Sequence, residues 1–414
     1  MVVHLNEHLS SLDIQQEGEA ELVSSSSSSE EEEEDEEEEQ EEEEAENVTL
    51  GFVEKRKNPR TLQRQFFPSK AGGQPAWLEP DNLPTGDSCI CDICGGPLQF
   101  LLQVYAPISE YEYTFHRTLF VFMCPSMTCL VKDQLEQKNA KSGKIARSVK
   151  VFRCQLPRAN PFYSPEAPKC TDSPSSIGAT LCTWCGTWKG NKICSGCKQA
   201  NYCSEKHQMI HWRGGHNNDC NKTGASPQSV GCSSRCKTSS KASPIVSNKV
   251  ASASQWPEYE IINEDESAFF MEDMEAKGLE TSLVSQNHMD GALQSLVDKF
   301  VGSNDRESWA SFQSRIALAP EQVMRYCREV DSKPLWPSLN SRPMDADIPT
   351  CEHCGSRRGF EFQVLPQLLY YFHVKNDDDS IDWATIVIHT CGSSCDTGPT
   401  YKEEFAWVQL CSTP

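Results

Sequence analysis

CDICGGPLQFLLQV, residues 91–104, comes back as CEHCGSRRGFEFQV, residues 351–364. The two segments agree at both cysteines, at the glycine that follows, at Phe100 and Phe360, and at Gln103-Val104 and Gln363-Val364. Each leads to an apolar run that closes on a second cysteine pair: TLFVFMCPSMTC, with Cys124 and Cys129, and WATIVIHTCGSSC, with Cys391 and Cys395. Internal self-similarity of this kind marks a duplicated unit. The β-branched and aromatic runs LQFLLQVYAPI, TLFVFMC and SVKVFRCQLP are short and read as buried strands. The expected class is therefore α+β and mostly β, built on two similar repeats packed together.

The cysteine spacing carries chemistry. Zinc takes four sulfur or nitrogen donors in tetrahedral geometry, and one Cys-x-x-Cys turn supplies two of them. Cys91, Cys94, Cys124 and Cys129 make one such set, and Cys351, Cys354, Cys391 and Cys395 repeat it, as in a zinc ribbon where a strand hairpin brings two knuckles together. The alternative is a group of reduced thiols in a β core, where free cysteine behaves as a small apolar residue. Two independent copies of one plan favour metal. Between them lies a denser cluster: Cys182, Cys185, Cys194, Cys197, Cys203, His207, His216 and Cys220, eight donors and so two zincs. This segment is glycine-rich and poor in aliphatic residues, so metal must supply most of its folding free energy, about 10–16 kcal/mol per structural site. Cys89, Cys154, Cys170, Cys232, Cys236, Cys327 and Cys411 have no partner at ligand spacing and read as thiols.

The rest of the chain supplies the boundaries. Of a net charge of −22, Glu30–Glu46 contributes fifteen acidic groups, leaving the remainder at −7. A like-charge block with nothing to bury reads as a disordered acidic tail, residues 1–47. It serves as a solubilising device, or as a mobile polyanion that meets a basic partner. The remainder argues against direct nucleic-acid binding, which wants a basic face. A β-rich repeat is expected over 48–168, the Cys/His cluster over 169–222, a Ser/Lys/Gly-rich flexible linker over 223–253 and a second repeat with helices over 254–414. WPEYEIINED reads as a strand. ESWASFQSRIAL and PEQVMRYCREV read as helices, the second opened by Pro320. No run of eighteen apolar residues predicts a membrane span, and the N-terminus lacks the pattern of a secretory signal. Twenty-one cysteines without such a signal imply a reducing compartment, cytosolic or nuclear. KRKNPR, at Lys55, is too short to serve as an import signal by itself.

The order C-x2-C, C-x2-C, Y-C-x3-H-Q, H-x3-C between Cys182 and Cys220 resembles the MYND zinc finger. Carried over by position, Cys182, Cys185, Cys203 and His207 would hold one zinc, and Cys194, Cys197, His216 and Cys220 the other. His207 stands where the commoner pattern has cysteine; His211 matches no ligand position. Beyond the finger, blocks such as VTLGFVEKRKNPR, FFPSKAGGQPAWL, SVKVFRCQLPRANPFY, SKPLWP, IDWATIVIHTC and YKEEFAWVQL resemble the programmed cell death protein 2 family, from residue 48 to the C-terminus.

Three functions compete. For an enzyme, every proposed zinc already has four protein ligands, and no phosphate-binding glycine loop or nucleophile elbow is present. His116 and His389 read as satisfied structural histidines. For an adaptor in transcriptional or cell-death control, Trp184, Trp188, Gln208 and Trp212 of the finger would line a groove for proline-containing peptides; the alternative is that tryptophans in so small a module cover its zinc-bound core. The family resemblance implies the third: binding a newly made, basic ribosomal protein of the small subunit and escorting it into assembly. A β-rich module can hold an extended peptide, and a polyanion can screen a basic client.

Overall fold

TLFVFMC and SVKVFRCQLP become strands buried along their whole length, β4 (His116–Met123) and β5 (Val149–Leu156), which explains their unbroken apolar runs. The structure is a computed structural model that describes residues 47–55, 58–139, 146–169, 178–223, 255–269, 303–375, 377 and 379–410. The acidic run, linker residues 224–253, and Cys170, Cys232, Cys236 and Cys411 lie outside the described residues.

The remaining strands are β1 (Thr49–Glu54), β2 (Lys70–Ala71), β3 (Gln99–Tyr105), β6 (Lys192–Ile193), β7 (Asn201–Tyr202), β8 (Tyr259–Asp265), β9 (Met324–Tyr326), β10 (Arg358–Val364), β11 (Thr385–Cys391) and β12 (Tyr401–Gln409). Among the described residues, ten of them close into one barrel in the order β1-β8-β2-β3-β4-β5-β12-β11-β10-β9, and β6 and β7 form a separate hairpin. The two Cys-x-x-Cys segments therefore do not head two domains packed side by side. They lead into β3 and β10 on opposite arcs of a single barrel.

The arcs β8-β2-β3-β4-β5 and β1-β9-β10-β11-β12 meet at the β5·β12 and β1·β8 seams. Register relates them closely. A bulge falls between Phe100 and Leu102 where β3 meets β4, and another between Phe360 and Phe362 where β10 meets β11. Gln103 lies opposite Lys70 of β2, and Gln363 opposite Arg325 of β9. Both glutamines are buried and clamp a loop: Gln103 Oε1 accepts from Ala76 N at 2.8 Å, and Gln363 Oε1 from Leu335 N at 2.8 Å. Those loops read QPAW (74–77) and KPLW (333–336), so Trp77 and Trp336 occupy matching places.

Alternation along the strands sorts the side chains into layers. Leu119, Val121 and Met123 join Phe362, Val364, Ile386, Ile388, Ala406 and Val408 in one cluster shared by both arcs, the barrel interior. Phe120, Phe122 and Phe152 turn outward on the first arc, and Phe360, Phe405 and Trp407 on the second. Gly51 permits closure, because a Cβ there would meet Ile261 of β8 and Met324 of β9 at 3.0 Å. The helix expected over Glu307–Leu318 is α4 (Ser303–Ala317), with Trp309, Phe312 and Ile316 packed on Leu365. PEQVMRYCREV is a correction: it holds strand β9, not a helix. Val323 and Met324 are fully buried, and β9 is hydrogen-bonded on both sides, to β1 and β10, so pairing and burial override the helical pattern.

Candidate metal centres

Four Cys-x-x-Cys turns share one backbone design. In each, the residue after the second cysteine adopts a left-handed conformation: Gly95 at φ 67°, Gly186 at 63°, Gly355 at 76° and Lys198 at 54°. Its amide donates to the carbonyl of the first cysteine, at 2.8 Å from Gly95, Gly186 and Gly355 and 3.0 Å from Lys198. Three turns use glycine because a side chain is disfavoured at that φ. The turn aims two sulfurs to one side.

Each turn then meets a second donor pair. Cys124 directly follows β4, and Cys129 stands in the first turn of α1 (Met127–Asn139). Cys391 ends β11, and Cys395 follows a tight turn whose Ser394 amide donates to the Cys391 carbonyl at 2.9 Å. In the finger, Ser204 caps α2 (Glu205–His211) by accepting from the His207 amide at 3.1 Å, which sets the His207 ring over Cys182 and Cys203. His216 ends a wide turn that leads into α3 (Asn217–Thr223), which carries Cys220.

The donors converge as four quartets, each with its ligand atoms within 4.8 Å of one another. They are Cys91, Cys94, Cys124 and Cys129; Cys182, Cys185, Cys203 and His207; Cys194, Cys197, His216 and Cys220; and Cys351, Cys354, Cys391 and Cys395. Tetrahedral bonds around zinc put neighbouring sulfurs about 3.8 Å apart, and a sulfur about 3.6 Å from a nitrogen. Cys94 to Cys124, Cys194 to Cys220 and Cys351 to Cys395 are each 3.7 Å, and Cys185 to Cys203 is 3.9 Å. Cys182 Sγ to His207 Nδ1 is 3.7 Å, and Cys197 Sγ to His216 Nε2 is 3.6 Å. These separations and donor types fit zinc. Within the quartets some thiols are held low while their neighbours are pushed up: the Cys124 thiol holds Cys91 at about 5 and is itself pushed up, Ser356 holds Cys354 at about 6, and the Cys185 and Cys203 thiols hold Cys182 well below the thiol range. Cys89, Cys154 and Cys327 stand outside every quartet, and burial pushes the Cys89 and Cys154 thiols up to about 12.

His211 has other work. Its Nδ1 lies 2.9 Å from the Tyr202 hydroxyl, and its ring stacks on His216 at 4.7 Å, bracing that donor. The finger is seated on the first arc. Trp188 is fully buried, its ring 4.3 Å from Phe122, and its Nε1 donates to Leu98 O at 2.7 Å. From the barrel side, Trp77 Nε1 donates to Thr187 O at 2.9 Å. Trp188 thus lines no peptide groove; of the two roles expected of it, core packing is the one it takes, and burying it anchors the finger. Trp212, Met209 and Ile210 remain exposed on the outer side. The sequence signal for the seat was the pair QPAW and KPLW, a match that the cysteine repeat overshadows.

The second arc differs. Its quartet abuts a buried charge network in which Arg153 Nε donates to Glu404 at 2.6 Å and Arg153 Nη1 to Cys395 O at 3.1 Å. Arg117 grips Glu361 at 2.5 and 2.7 Å, with both side chains fully buried. Beside this network opens a cleft of about 1080 Å³, lined by Trp336, Phe360 and His389 among others. The expectation that His116 and His389 are satisfied structural histidines is corrected: His116 Nδ1 meets the Tyr105 hydroxyl at 3.1 Å, but among the described residues His116 Nε2 and His389 Nδ1 are buried without a hydrogen-bond partner. Burial holds both at about 4, hence neutral. No helix among the described residues is long and apolar enough to cross a membrane.

Comparison with known proteins agrees with this layout. Residues 47–170 match the family model of the programmed cell death protein 2 N-terminal domain, 306–410 its C-terminal putative domain, and 182–220 the MYND finger. The chain is 37% identical to the programmed cell death protein 2 of Rattus norvegicus over 373 residues, covering 87% of this chain and 96% of the relative. It is 37% identical to that of Mus musculus, with the same coverage, and 26% identical to the programmed cell death protein 2-like protein of Homo sapiens over 82% of this chain and 89% of the relative. No solved structure matches. Terminal matches that between them hold every barrel strand but β8, a finger match between the two, and 37% identity over 87% of the chain make this chain a member of the programmed cell death protein 2 family.

Proposed function

We propose that the protein is a zinc-binding, non-enzymatic escort for a newly made, basic protein of the small ribosomal subunit, acting in ribosome biogenesis in the cytosol with access to the nucleus. The observation that carries this reading is the closure of the quartets: each supplies four protein donors, so metal there builds structure, and the work falls to surfaces. On this reading the arcs are duplicated zinc-ribbon-like modules, and the chain binds four zincs, one per arc and two in the finger. The acidic run and a net charge of −22 suit capture of a basic client. Affinity purification from translating cells tests the class. A single small-subunit protein, recovered without the rest of the subunit, supports escort; recovery of whole subunits or of none refutes it. Elemental analysis of the purified protein should return four zincs per chain, whereas two would restrict metal to the finger.

A second reading is an adaptor for proline-containing peptides in transcriptional or cell-death control. It is favoured by the apolar patch on the finger, where Met209 is 54% and Trp212 44% exposed. Binding undiminished in the finger alone would move the protein into that class.

A further inference from the structure

The register that relates the arcs also relates two surfaces. On the first arc, Phe100 pairs with Phe122, and Trp77 and Phe122 pack on Trp188 of the finger at 5.7 and 4.3 Å. On the second arc, Phe360 pairs with His389 at the corresponding register, and Trp336 takes the place of Trp77. There the same surface opens into the cleft. One residue type differs among the three: His389 stands where the first arc has Phe122.

We propose that this cleft is a docking seat for an extended segment of a partner protein that presents a tryptophan, the counterpart of the seat that Trp188 fills on the first arc. The occupant follows from three observations. The matching surface binds a tryptophan within the same molecule. His389 is 96% inaccessible to solvent, and its Nδ1, buried and unpartnered among the described residues, accepts from an indole N–H when the ring carries its proton on Nε2, as Leu98 O does from Trp188. Val330 and Met344, 93% and 71% exposed, extend apolar surface around the cleft for the residues flanking the tryptophan. The lining carries Arg328, Lys333, Arg342, Arg357 and Arg358 against Glu329, Asp331 and Asp345, but Arg328 and Arg358 are paired with Glu361 and Glu404 outside it, so the remaining charges match three to three and selection falls to the aromatic floor. The cleft is thus distinct in chemistry from any acidic surface that would attract a basic client, and its failure leaves the escort reading untouched.

The test uses the full chain, loaded with zinc, and N-acetyl-tryptophanamide as probe, with N-acetyl-phenylalaninamide as the comparison that lacks a donor. Saturation-transfer NMR should show the tryptophan probe bound. His389→Phe should weaken the tryptophan probe about five-fold and leave the phenylalanine probe unchanged, because only one hydrogen bond is lost. Met344→Asp, on the exposed rim and harmless to folding, should weaken both probes. Equal binding of the tryptophan probe by the wild type and both variants, or no binding to the wild type, overturns the proposal. So does a dimer in sedimentation that Met344→Asp dissociates, which would assign the cleft to a second copy of the chain.

Discussion

His207 and His211 lie one helical turn apart on α2 and do different work: one faces two sulfurs, the other holds a tyrosine hydroxyl and a neighbouring imidazole. His207→Ala should release one zinc from the finger, His207→Cys should retain it, and His211→Ala should retain it, as read by elemental analysis. The buried pair Arg117 and Glu361 makes a second residue-level prediction. Burial raises the Glu361 carboxyl, but the Arg117 charge and its hydrogen bonds more than offset this and hold it at about 2. A depressed carboxylate stabilises above its unfolded value, near 4.5, and that contribution fades as pH falls from there to about 2. Glu361→Leu should cost about 3–5 kcal/mol at neutral pH by stranding the guanidinium, with Arg117→Met partly restoring stability. His389 works in a higher window. Held at about 4, it must be neutral when folded, so stability falls as pH drops from 6.5 towards 4. Urea midpoints for His389→Phe should fall less steeply there than for the wild type at matched zinc content, with His116 supplying the remainder.

At the level of elements, the finger's attachment is the testable feature. Trp188→Ala should leave zinc content intact, because Trp188 is not a donor, yet remove about 3–5 kcal/mol of packing between finger and barrel. Limited proteolysis should then cut near residues 178–190 while the barrel survives; an equally protected finger would refute the seat. Much of this layer was legible. The spacing of cysteines marked the two outer quartets and the eight donors of the finger, whose division into two quartets the resemblance to the MYND finger implied, and the apolar runs marked β3, β4, β5, β8 and β11. Other features depended on distant partners. β9 reads as a helix because its three-residue pattern has meaning only between β1 and β10, and Trp188 reads as groove or core because its neighbours, Trp77 and Phe122, come from other segments. Arg117 meets Glu361 across 244 positions, which no local pattern announces.

For the whole molecule, the barrel is closed by an exchange. β1, the first of the described strands, belongs to the second arc beside β9, while β8 belongs to the first arc beside β2. Neither arc keeps both of its edges when the other is missing. Residues 47–223 expressed alone should be insoluble or molten, and co-expression with residues 255–414 should restore a soluble, zinc-loaded pair; a well-folded N-terminal fragment would show that closure is dispensable. The exchange also sets a timetable during synthesis. As the chain leaves the ribosome, Thr49–Glu54 emerges long before its antiparallel partner, Tyr259–Asp265, and Val149–Leu156 before Tyr401–Gln409. Strand edges left waiting are adhesive. The finger, whose eight donors lie within one continuous stretch, can clamp zinc midway and cover part of the outer aromatic face. Closure waits for Tyr401–Gln409, the last of the described strands, so the barrel is competent only once that strand has been made, and until then it passes through a vulnerable adolescence with its edges unguarded.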